Sequence, residues 1–312
     1  MWEHIRIGTR ASKLALAQAN WIKERLEAQY PHCRVELVKI ITKGDKIVDV
    51  PLAKVGGKGL FVKEIEEAML RREVDIAVHS MKDVPAELPP GLHIGIITER
   101  ENPFDALISN HYQSLETLPA GARIGTSSLR RRSQLAALRP ELTIEDLRGN
   151  LDTRLRKLDE GQYDGIILAA AGLNRLELAH RAAYYFPADQ MLPAVSQGAV
   201  GIELRQADDE LLAMLSFMEH RATTLAVRAE RAFLQRLEGG CQVPLAGFAT
   251  LDGERLQFDG MVAPVDGSRL LRVSKNGPVA EAEQLGLAAA EELLAAGGRE
   301  ILEEVYGTSL SS

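Results

Sequence analysis

The stretch GTSSLRRRSQLAALRPELTIEDLRGNLDTRLR, residues 125–156, contains two turns of the same kind. In each turn a short apolar run that is typical of a strand leads through polar residues into an Arg-bearing helix. The first turn carries hydroxyls at Thr126 and Ser128 and three consecutive Arg, 130–132; the second carries Arg148 and Arg154. Residues 121–157 hold nine Lys/Arg against four Asp/Glu, a charge of +5 in a chain whose net charge is −7.

Three Arg beside a helix N-terminus oppose the helix macrodipole, which favours anions at that end. A solvated basic face is the ordinary explanation of a charge run. An anion held between backbone N–H groups and guanidinium groups explains the same positions. Because two strand-to-helix turns repeat the pattern, we predict an anion-binding cleft.

The totals describe an ordinary globular chain. Its 312 residues have room for two or three domains, and 46% of them are hydrophobic and 26% charged. We see neither an apolar run long enough for a membrane helix nor the layout of a signal peptide, and the two cysteines, Cys33 and Cys241, fit a reducing cytoplasm. The negative net charge argues against general nucleic-acid binding and leaves a small polyanion as the favoured partner.

The order of the elements predicts the fold class α/β, with two lobes joined by two crossings, followed by a small α+β domain. We expect residues 1–98 with 199–216 to form domain 1, 104–193 domain 2 and 220–312 domain 3. Connections at 99–105 (ERENPFD) and 193–198 (PAVSQG) supply the crossings. Ser12 is expected to cap a helix that runs to about Gln29, with an apolar face formed by Leu14, Ala17, Trp21 and Ile22. Asp252-Gly253 and Asp266-Gly267 are hairpin signals.

The Gly/Lys-rich segment 54–59 (KVGGKG) resembles a phosphate loop only in composition. Leu52 stands where such a loop needs its first Gly, and Gly59 replaces the Ser/Thr. We therefore predict a surface loop carrying Lys54 and Lys58 and not a nucleotide site.

Cys241 lies in the segment 239–244 (GGCQVP), directly after a predicted helix. A lone cysteine is usually a small buried hydrophobe. The two preceding glycines let the backbone approach another group closely, which favours a reactive or attached thiol. A helix C-terminus raises a thiol pKa, so Cys241, if it reacts, is expected to do so once with a strong electrophile.

Asp83 is a lone carboxylate at the end of the predicted strand 74–78 and its polar continuation. Capping the turn before Pro85 is one explanation. In a cleft of Arg residues, the carboxylate is also placed to hold cationic or N–H-bearing groups of a substrate. His79 is taken as structural, and we find neither a Ser/His/Asp set nor metal-ligand spacing.

Taken together, the motifs closely resemble the porphobilinogen deaminase family, also called the hydroxymethylbilane synthases. The match spans nearly the whole chain and comprises IGTRAS (7–12), KVGGKGLF (54–61), DIAVHSMKDVP (75–85), GTSSLRRR (125–132), LRGN and TRL (147–155), AAAGLNRL (169–176) and EGGCQVP (238–244). The resemblance implies a fold whose first two domains are similar to the lobes of type II periplasmic binding proteins.

The resemblance further implies a transferase that joins four porphobilinogen molecules head to tail into hydroxymethylbilane and releases ammonia. A dipyrromethane cofactor would be attached to Cys241 through a thioether, and Asp83 would bind pyrrole N–H groups and stabilise the cation formed on deamination. The residues implied in cofactor binding are Cys241, Ser80, Lys82, Asp83, Thr126, Ser128, Arg130, Arg131, Arg148 and Gly149. The residues implied in binding substrate carboxylates are Arg10, Ser12, Arg148, Arg154 and Arg175, with Lys54 and Lys58 on a loop over the site.

Two positions depart from the family pattern or have no assigned role. Ser196 stands where the family usually has a second Gly, and Arg132 adds a third Arg without an assignment. The alternative function is a two-lobed protein that binds a polycarboxylate without chemistry. For either function we expect a monomer in the cytoplasm, without a nucleic-acid or membrane partner.

Overall fold

The computed structural model describes residues 2–46, 59–239, 243–307 and 310. In chain order its strands are β1 His4–Thr9, β2 Arg34–Lys39, β3 Ile76–Ser80, β4 Leu92–Ile97, β5 Asp105–Ile108, β6 Arg123–Gly125, β7 Thr143–Glu145, β8 Gly165–Ala169, β9 Tyr184–Tyr185, β10 Val200–Arg205, β11 Leu245–Asp252, β12 Arg255–Val262 and β13 Leu271–Pro278. Its α-helices are α1 Lys13–Gln29, α2 Lys43–Lys46, α3 Lys63–Leu70, α4 Leu129–Leu138, α5 Leu151–Asp159, α6 Ala170–Arg175, α7 Asp209–Leu215, α8 Arg221–Arg236, α9 Ala282–Leu293 and α10 Arg299–Tyr306. None of the helices within these ranges is long and apolar enough to cross a bilayer.

The first lobe is built on a five-stranded sheet in the order β2-β1-β3-β10-β4. β1 is parallel to β2 and β3, whereas β10 is antiparallel to both of its neighbours. Helix α1 begins after Ser12 and ends at Gln29, as predicted. Its predicted apolar face is wrong at one position, because Trp21 is 38% exposed and lies beside Arg25, while Ala19, Ile22 and Leu26 face the core at helical spacing.

The second lobe is built on a second five-stranded sheet, in the order β7-β6-β8-β5-β9. Strand β6 is parallel to β7 and β8, and β5 is antiparallel to β8 and β9. Both predicted strand-to-helix turns are present: Ser128 caps α4 and Asn150 caps α5, each through its side chain. The chain leaves the first sheet after β4 and returns to it as β10, which confirms two crossings and the predicted α/β class of the lobes.

The C-terminal part is a three-stranded antiparallel meander, β11-β12-β13, covered by α8 and α9. Phe233 of α8 and Phe258 of β12 meet in its core with ring centroids 5.0 Å apart. The signal at Asp252-Gly253 is confirmed as a tight hairpin, because Asp252 pairs with Arg255. The second signal does not make a tight hairpin: Gly267, at φ +70°, lies in an eight-residue connection packed against α4, where a Cβ would come within 2.2 Å of the carbonyl oxygen of Ser133.

Candidate functional site

A cavity opens where β1 and β3 end side by side. The parallel strands place the segment after Thr9 next to Ser80, and β3 continues into a 3-10 turn, Met81–Asp83. Ser80 and Asp83 line the cavity on one side, and Arg10 and Ser12 line it on the other. The carboxyl ends of neighbouring strands thus bring together four of the residues predicted from sequence.

Arg10 already has a carboxylate partner on its own lobe. Its Nε donates to Asp45 Oδ1 at 3.0 Å, and its guanidinium lies over the ring of Phe61, 4.3 Å from the centroid. Burial would raise the pKa of the Asp45 carboxyl, but the bonds from Arg10 and Thr42 together hold that pKa below its ordinary value. Sequence reasoning missed Asp45, although its place in the polar segment 43–45 after β2 was a usable signal.

The first Arg-rich turn is organised around a buried carboxylate that the sequence did not single out. Asp105, at the start of β5, accepts from Arg130 Nη1 at 2.7 Å and from Arg131 Nε at 3.0 Å and Nη2 at 2.7 Å. All three residues are buried. Burial favours the neutral form of Asp105 and would raise its pKa, but the two guanidinium groups hold that pKa far below the usual range. Asp105 therefore compensates much of the positive charge of both Arg from inside the protein.

The second turn brings Arg148 and Arg154 toward the residues of the first lobe. Arg154 donates from Nε to the carbonyl oxygen of Gly149 at 2.8 Å. Burial, and after it the positive charges of Arg131 and Arg148, lower its pKa to about 10, and the negative charge of Asp83 opposes them. The carboxylate of Asp83 on one lobe thus acts electrostatically on Arg154 of the other, which assigns the two residues to the same cleft.

Lys82 belongs to the same cleft. Burial lowers the pKa of its ammonium group, while the carboxylate of Asp83 raises it and Arg131 lowers it. A half-buried Lys beside several Arg is costly unless anions are close by. The cleft thus combines an excess of positive charge with the carboxylate of Asp83 in the cavity wall.

Three of the predicted residues, Thr126, Ser128 and Gly149, hold the turns in place. Thr126 is fully buried and its Oγ1 accepts from the Ser128 N–H at 3.2 Å; Ser128 Oγ in turn accepts from the Arg131 N–H at 3.4 Å. Gly149 has φ +113°, and a Cβ there would lie 2.7 Å from Thr153 Cβ, so no other residue fits without strain. Each turn therefore depends on small or hydroxyl-bearing residues at these positions.

Arg175 lies elsewhere, at the second crossing. It ends α6 and donates from Nη2 to the carbonyl oxygen of Gly198 at 2.7 Å. Burial lowers the pKa of Arg175, and the carboxylate of Glu101 opposes that change. It is not among the residues that line the cavity beside Asp83.

Arg132 has a structural explanation that the sequence did not show. Its Nη1 donates to the carbonyl oxygen of Ile144 and its Nη2 to Asp146 Oδ1, each at 3.0 Å. It therefore ties α4 to β7. Cys241, Lys54 and Lys58, and with them the predicted loop around the site, lie outside the described residues.

Two solved structures have a distant likeness to this chain. A putative methionine-binding lipoprotein from Bacillus subtilis is 12% identical at a TM-score of 0.43, covering 70% of this chain and 90% of that one. A periplasmic substrate-binding protein of an ABC transporter from Coxiella burnetii is 15% identical at a TM-score of 0.44, covering 70% of this chain and 94% of that one.

Curated relatives match over almost the full length. The porphobilinogen deaminase of Geobacter sulfurreducens is 58% identical over 307 residues, 98% of this chain and 96% of that protein. The porphobilinogen deaminase of Maridesulfovibrio salexigens is 57% identical over 302 residues, 97% of this chain and 98% of that protein.

Two family models cover the chain in succession. Residues 5–213 match "Porphobilinogen deaminase, dipyromethane cofactor binding domain", and residues 224–295 match "Porphobilinogen deaminase, C-terminal domain". The first model alone covers the two lobes and the cleft between them. This chain therefore belongs to the porphobilinogen deaminase family.

Proposed function

We propose that the protein is a hydroxymethylbilane synthase, a transferase of tetrapyrrole and heme biosynthesis primed by a covalent dipyrromethane. It condenses four porphobilinogen molecules head to tail into linear hydroxymethylbilane and releases ammonia at each step. The observation that carries this function is the cleft in which the carboxylate of Asp83 on the first lobe acts on the buried charge of the second lobe at Arg154. The family assignment is independent support.

The residues of the cleft fit a dipyrromethane. Each pyrrole ring of that group carries two carboxylate side chains and one N–H. Arg154 is a half-buried cation whose hydrogen bond within the described part of the chain goes to a backbone carbonyl and not to an acid, so it retains N–H groups for a carboxylate. The group, when bound, supplies the terminal pyrrole ring to which the first substrate is joined.

We propose that the cofactor is attached at Cys241 and held by residues of both turns and of the segment after β3. Lys82, Arg148 and Arg154 supply charge for its carboxylates. Arg130 and Arg131 supply oriented N–H groups, because Asp105 already meets much of their charge. The other residues proposed to line the cofactor site are Ser80, Thr126, Ser128 and Gly149.

Asp83 is the proposed catalytic group. Its carboxylate accepts hydrogen bonds from pyrrole N–H groups and stabilises the positive charge that develops when the substrate loses ammonia. Arg10, Ser12 and Arg175 are proposed to bind the substrate's carboxylates, together with Arg148 and Arg154. At Arg10 the substrate shares the guanidinium fork with Asp45.

The intact mass of the purified, denatured protein is the first test. We expect an excess over the mass of the polypeptide that corresponds to two pyrrole units and maps to the peptide containing Cys241. The variant Cys241→Ala should lose both the excess mass and all turnover of porphobilinogen. A protein that only binds a polycarboxylate would instead keep its ligand affinity in this variant and show no excess mass before or after incubation with porphobilinogen.

We further propose that the enzyme works as a monomer in the cytoplasm. The location accords with Cys33, which is a buried free thiol. Sedimentation velocity of the holoenzyme tests the oligomeric state, and a species of twice the chain mass would contradict it.

A further inference from the structure

Three ionisable side chains form a buried cluster beneath the cavity: Glu66 of α3, His79 of β3 and Glu203 of β10. His79 Nε2 lies 2.8 Å from Glu203 Oε2, and the two side chains are 4% and 1% exposed. Glu66 is 6% exposed. β3 and β10 are neighbours in the sheet, and their register places His79 and Glu203 on the same face. Sequence reasoning treated His79 as a structural residue.

Two carboxyl oxygens of the cluster lack a donor. Glu66 Oε1 and Glu203 Oε1 are both buried and make no hydrogen bond to any described residue. Ionised carboxylates can only accept, and a buried acceptor without a donor is unfavourable. A proton on one of the two residues turns that group into a donor. The cluster therefore has room for a proton besides the one between His79 and Glu203.

The charges around Glu66 place the titration of that proton near neutrality. Burial, and after it the negative charge of Glu203, raise the pKa of Glu66 to about 7, against the opposing effect of His79. On its own helix, Glu67 raises the pKa slightly and Lys63 lowers it. From α8, Arg231 faces Glu203 and donates to the backbone carbonyl oxygens of Val84, Pro85 and Ala86.

His79 connects this cluster to the cavity. His79 lines the same cavity as Ser80 and Asp83. The cavity has a volume of about 50 Å³, and one water needs about 10–15 Å³ of such space. Water in the cavity can therefore link the imidazole ring to the site of the reaction.

We propose that Glu66, His79 and Glu203 form a proton store that exchanges one proton with the cavity through His79 during each condensation. The proposal rests on the proposed function. In each condensation the C–N bond of the substrate ammonium breaks and ammonia leaves with the bonding pair. A ring electron pair forms the new C–C bond. The ring C–H bond then breaks, its electrons return to the ring, and the store holds the proton until the ammonia or water takes it.

Glu66→Gln tests the store without removing a group that touches substrate. Glutamine has nearly the same shape and resembles the protonated acid, so the variant is expected to fold. The exposed neighbour on the same helix supplies the matched control, Glu67→Gln. In ¹³C spectra of labelled side-chain carboxyls, the wild-type holoenzyme should show one Glu resonance that titrates near pH 7. The resonance should be absent in Glu66→Gln and present in the control.

The pH dependence of turnover tests the link to the reaction. In the wild type and in Glu67→Gln, kcat should rise through about pH 7, where the store becomes able to accept a proton. In Glu66→Gln this inflection should vanish and kcat above pH 7 should fall about tenfold, less than the 10²–10⁴ of a direct acid–base group. KM and the cofactor mass should not change. His79→Gln should abolish the same inflection, because it interrupts the path to the cavity.

Two results would overturn the proposal. One is a Glu66 carboxyl that titrates near its ordinary value of 4.5. The other is a pH profile of Glu66→Gln identical to that of the wild type. The spectra decide whether the store exists, and turnover of porphobilinogen by the wild type decides the proposed function, so the two failures are distinguishable.

Discussion

Ser196 has an unusual backbone conformation for a residue with a side chain. It is fully buried at φ +61° in the second crossing, and its Oγ makes no hydrogen bond among the described residues. The left-handed region costs about 1–2 kcal/mol for a residue with a Cβ, and an unpaired buried hydroxyl adds to the cost. A Gly at this position would remove both costs.

Replacing Ser196 by Gly should therefore stabilise the protein. The greater freedom of Gly in the unfolded chain opposes the gain, and we expect a net increase of about 1 kcal/mol in the free energy of unfolding. Urea unfolding of the purified protein measures it. Glu177→Gly, at φ +59° on the surface, is the matched control, since it relieves the backbone without removing a buried hydroxyl. An equal gain in both variants would show that the hydroxyl of Ser196 contributes nothing.

Asp83→Asn tests the proposed catalytic carboxylate. The amide keeps the shape of the side chain but cannot stabilise a developing positive charge, so kcat should fall by about 10²–10⁴. The intact mass should still include the cofactor, because the proposed thioether is formed by Cys241 and not by the side chain at position 83. Glu87→Gln, an exposed change four residues further on, should leave kcat unchanged. Normal kcat in Asp83→Asn would remove the residue from the mechanism.

Glu66 should give the folding stability a characteristic pH dependence. Its pKa is raised from 4.5 to about 7 in the folded protein, so the native state binds more protons than the unfolded state between those values. Glu66 therefore contributes to the free energy of unfolding below pH 4.5, and this contribution is lost as the pH rises through 7. At 1.36 kcal/mol per pKa unit, the loss amounts to about 3 kcal/mol at most. Unfolding of wild type and Glu66→Gln at pH 5 and pH 8 measures it, and equal pH dependence in both would contradict the raised pKa.

At the scale of elements, Asp105 joins the start of β5 to the first turn of α4. Removing one partner of a buried ion pair costs about 3–5 kcal/mol, because the remaining charges are left uncompensated. Asp105→Asn should lower the free energy of unfolding by about that amount in urea unfolding. The contribution of the carboxylate is present above its ordinary pKa of 3.8 and is lost as the pH falls further. The control Asp146→Asn removes an exposed pair with Arg132 and should cost about 0–1 kcal/mol.

The same turn shows what sequence could and could not predict. Ser128 as an N-cap and the clustering of Arg residues follow from local spacing, and the structure confirms the cap. Their common partner, Asp105, lies on β5, 25 residues before Arg130 and 26 before Arg131, so no local pattern identifies it. The prediction that Trp21 lies on the buried face of α1 is wrong for a different reason. Trp21 is apolar and at a plausible spacing, but other residues of this helix face the sheet.

At the scale of the whole molecule, one buried carboxylate links the crossings to the C-terminal domain. Glu230 of α8 accepts from Arg100 Nη1 at 2.7 Å and Nη2 at 2.8 Å in the first crossing. It also accepts from the backbone N–H of Ser196 in the second crossing at 2.6 Å and from that of Ala249 in β11 at 2.8 Å. Its side chain is fully buried. The same carboxylate therefore binds both crossings between the lobes and also a strand of the third domain.

Glu230→Gln should uncouple the third domain from the lobes. The amide cannot accept all four hydrogen bonds, and Arg100 is left nearly buried without a counter-charge, a loss of about 3–5 kcal/mol. Calorimetry of the wild type should show one cooperative transition, and the variant should show an earlier, separate transition of residues 220–312. Glu291→Gln removes the exposed partner of Arg236 on the same domain and should leave the single transition intact. One unchanged transition in Glu230→Gln would mean that apolar packing, and not this carboxylate, couples the domains.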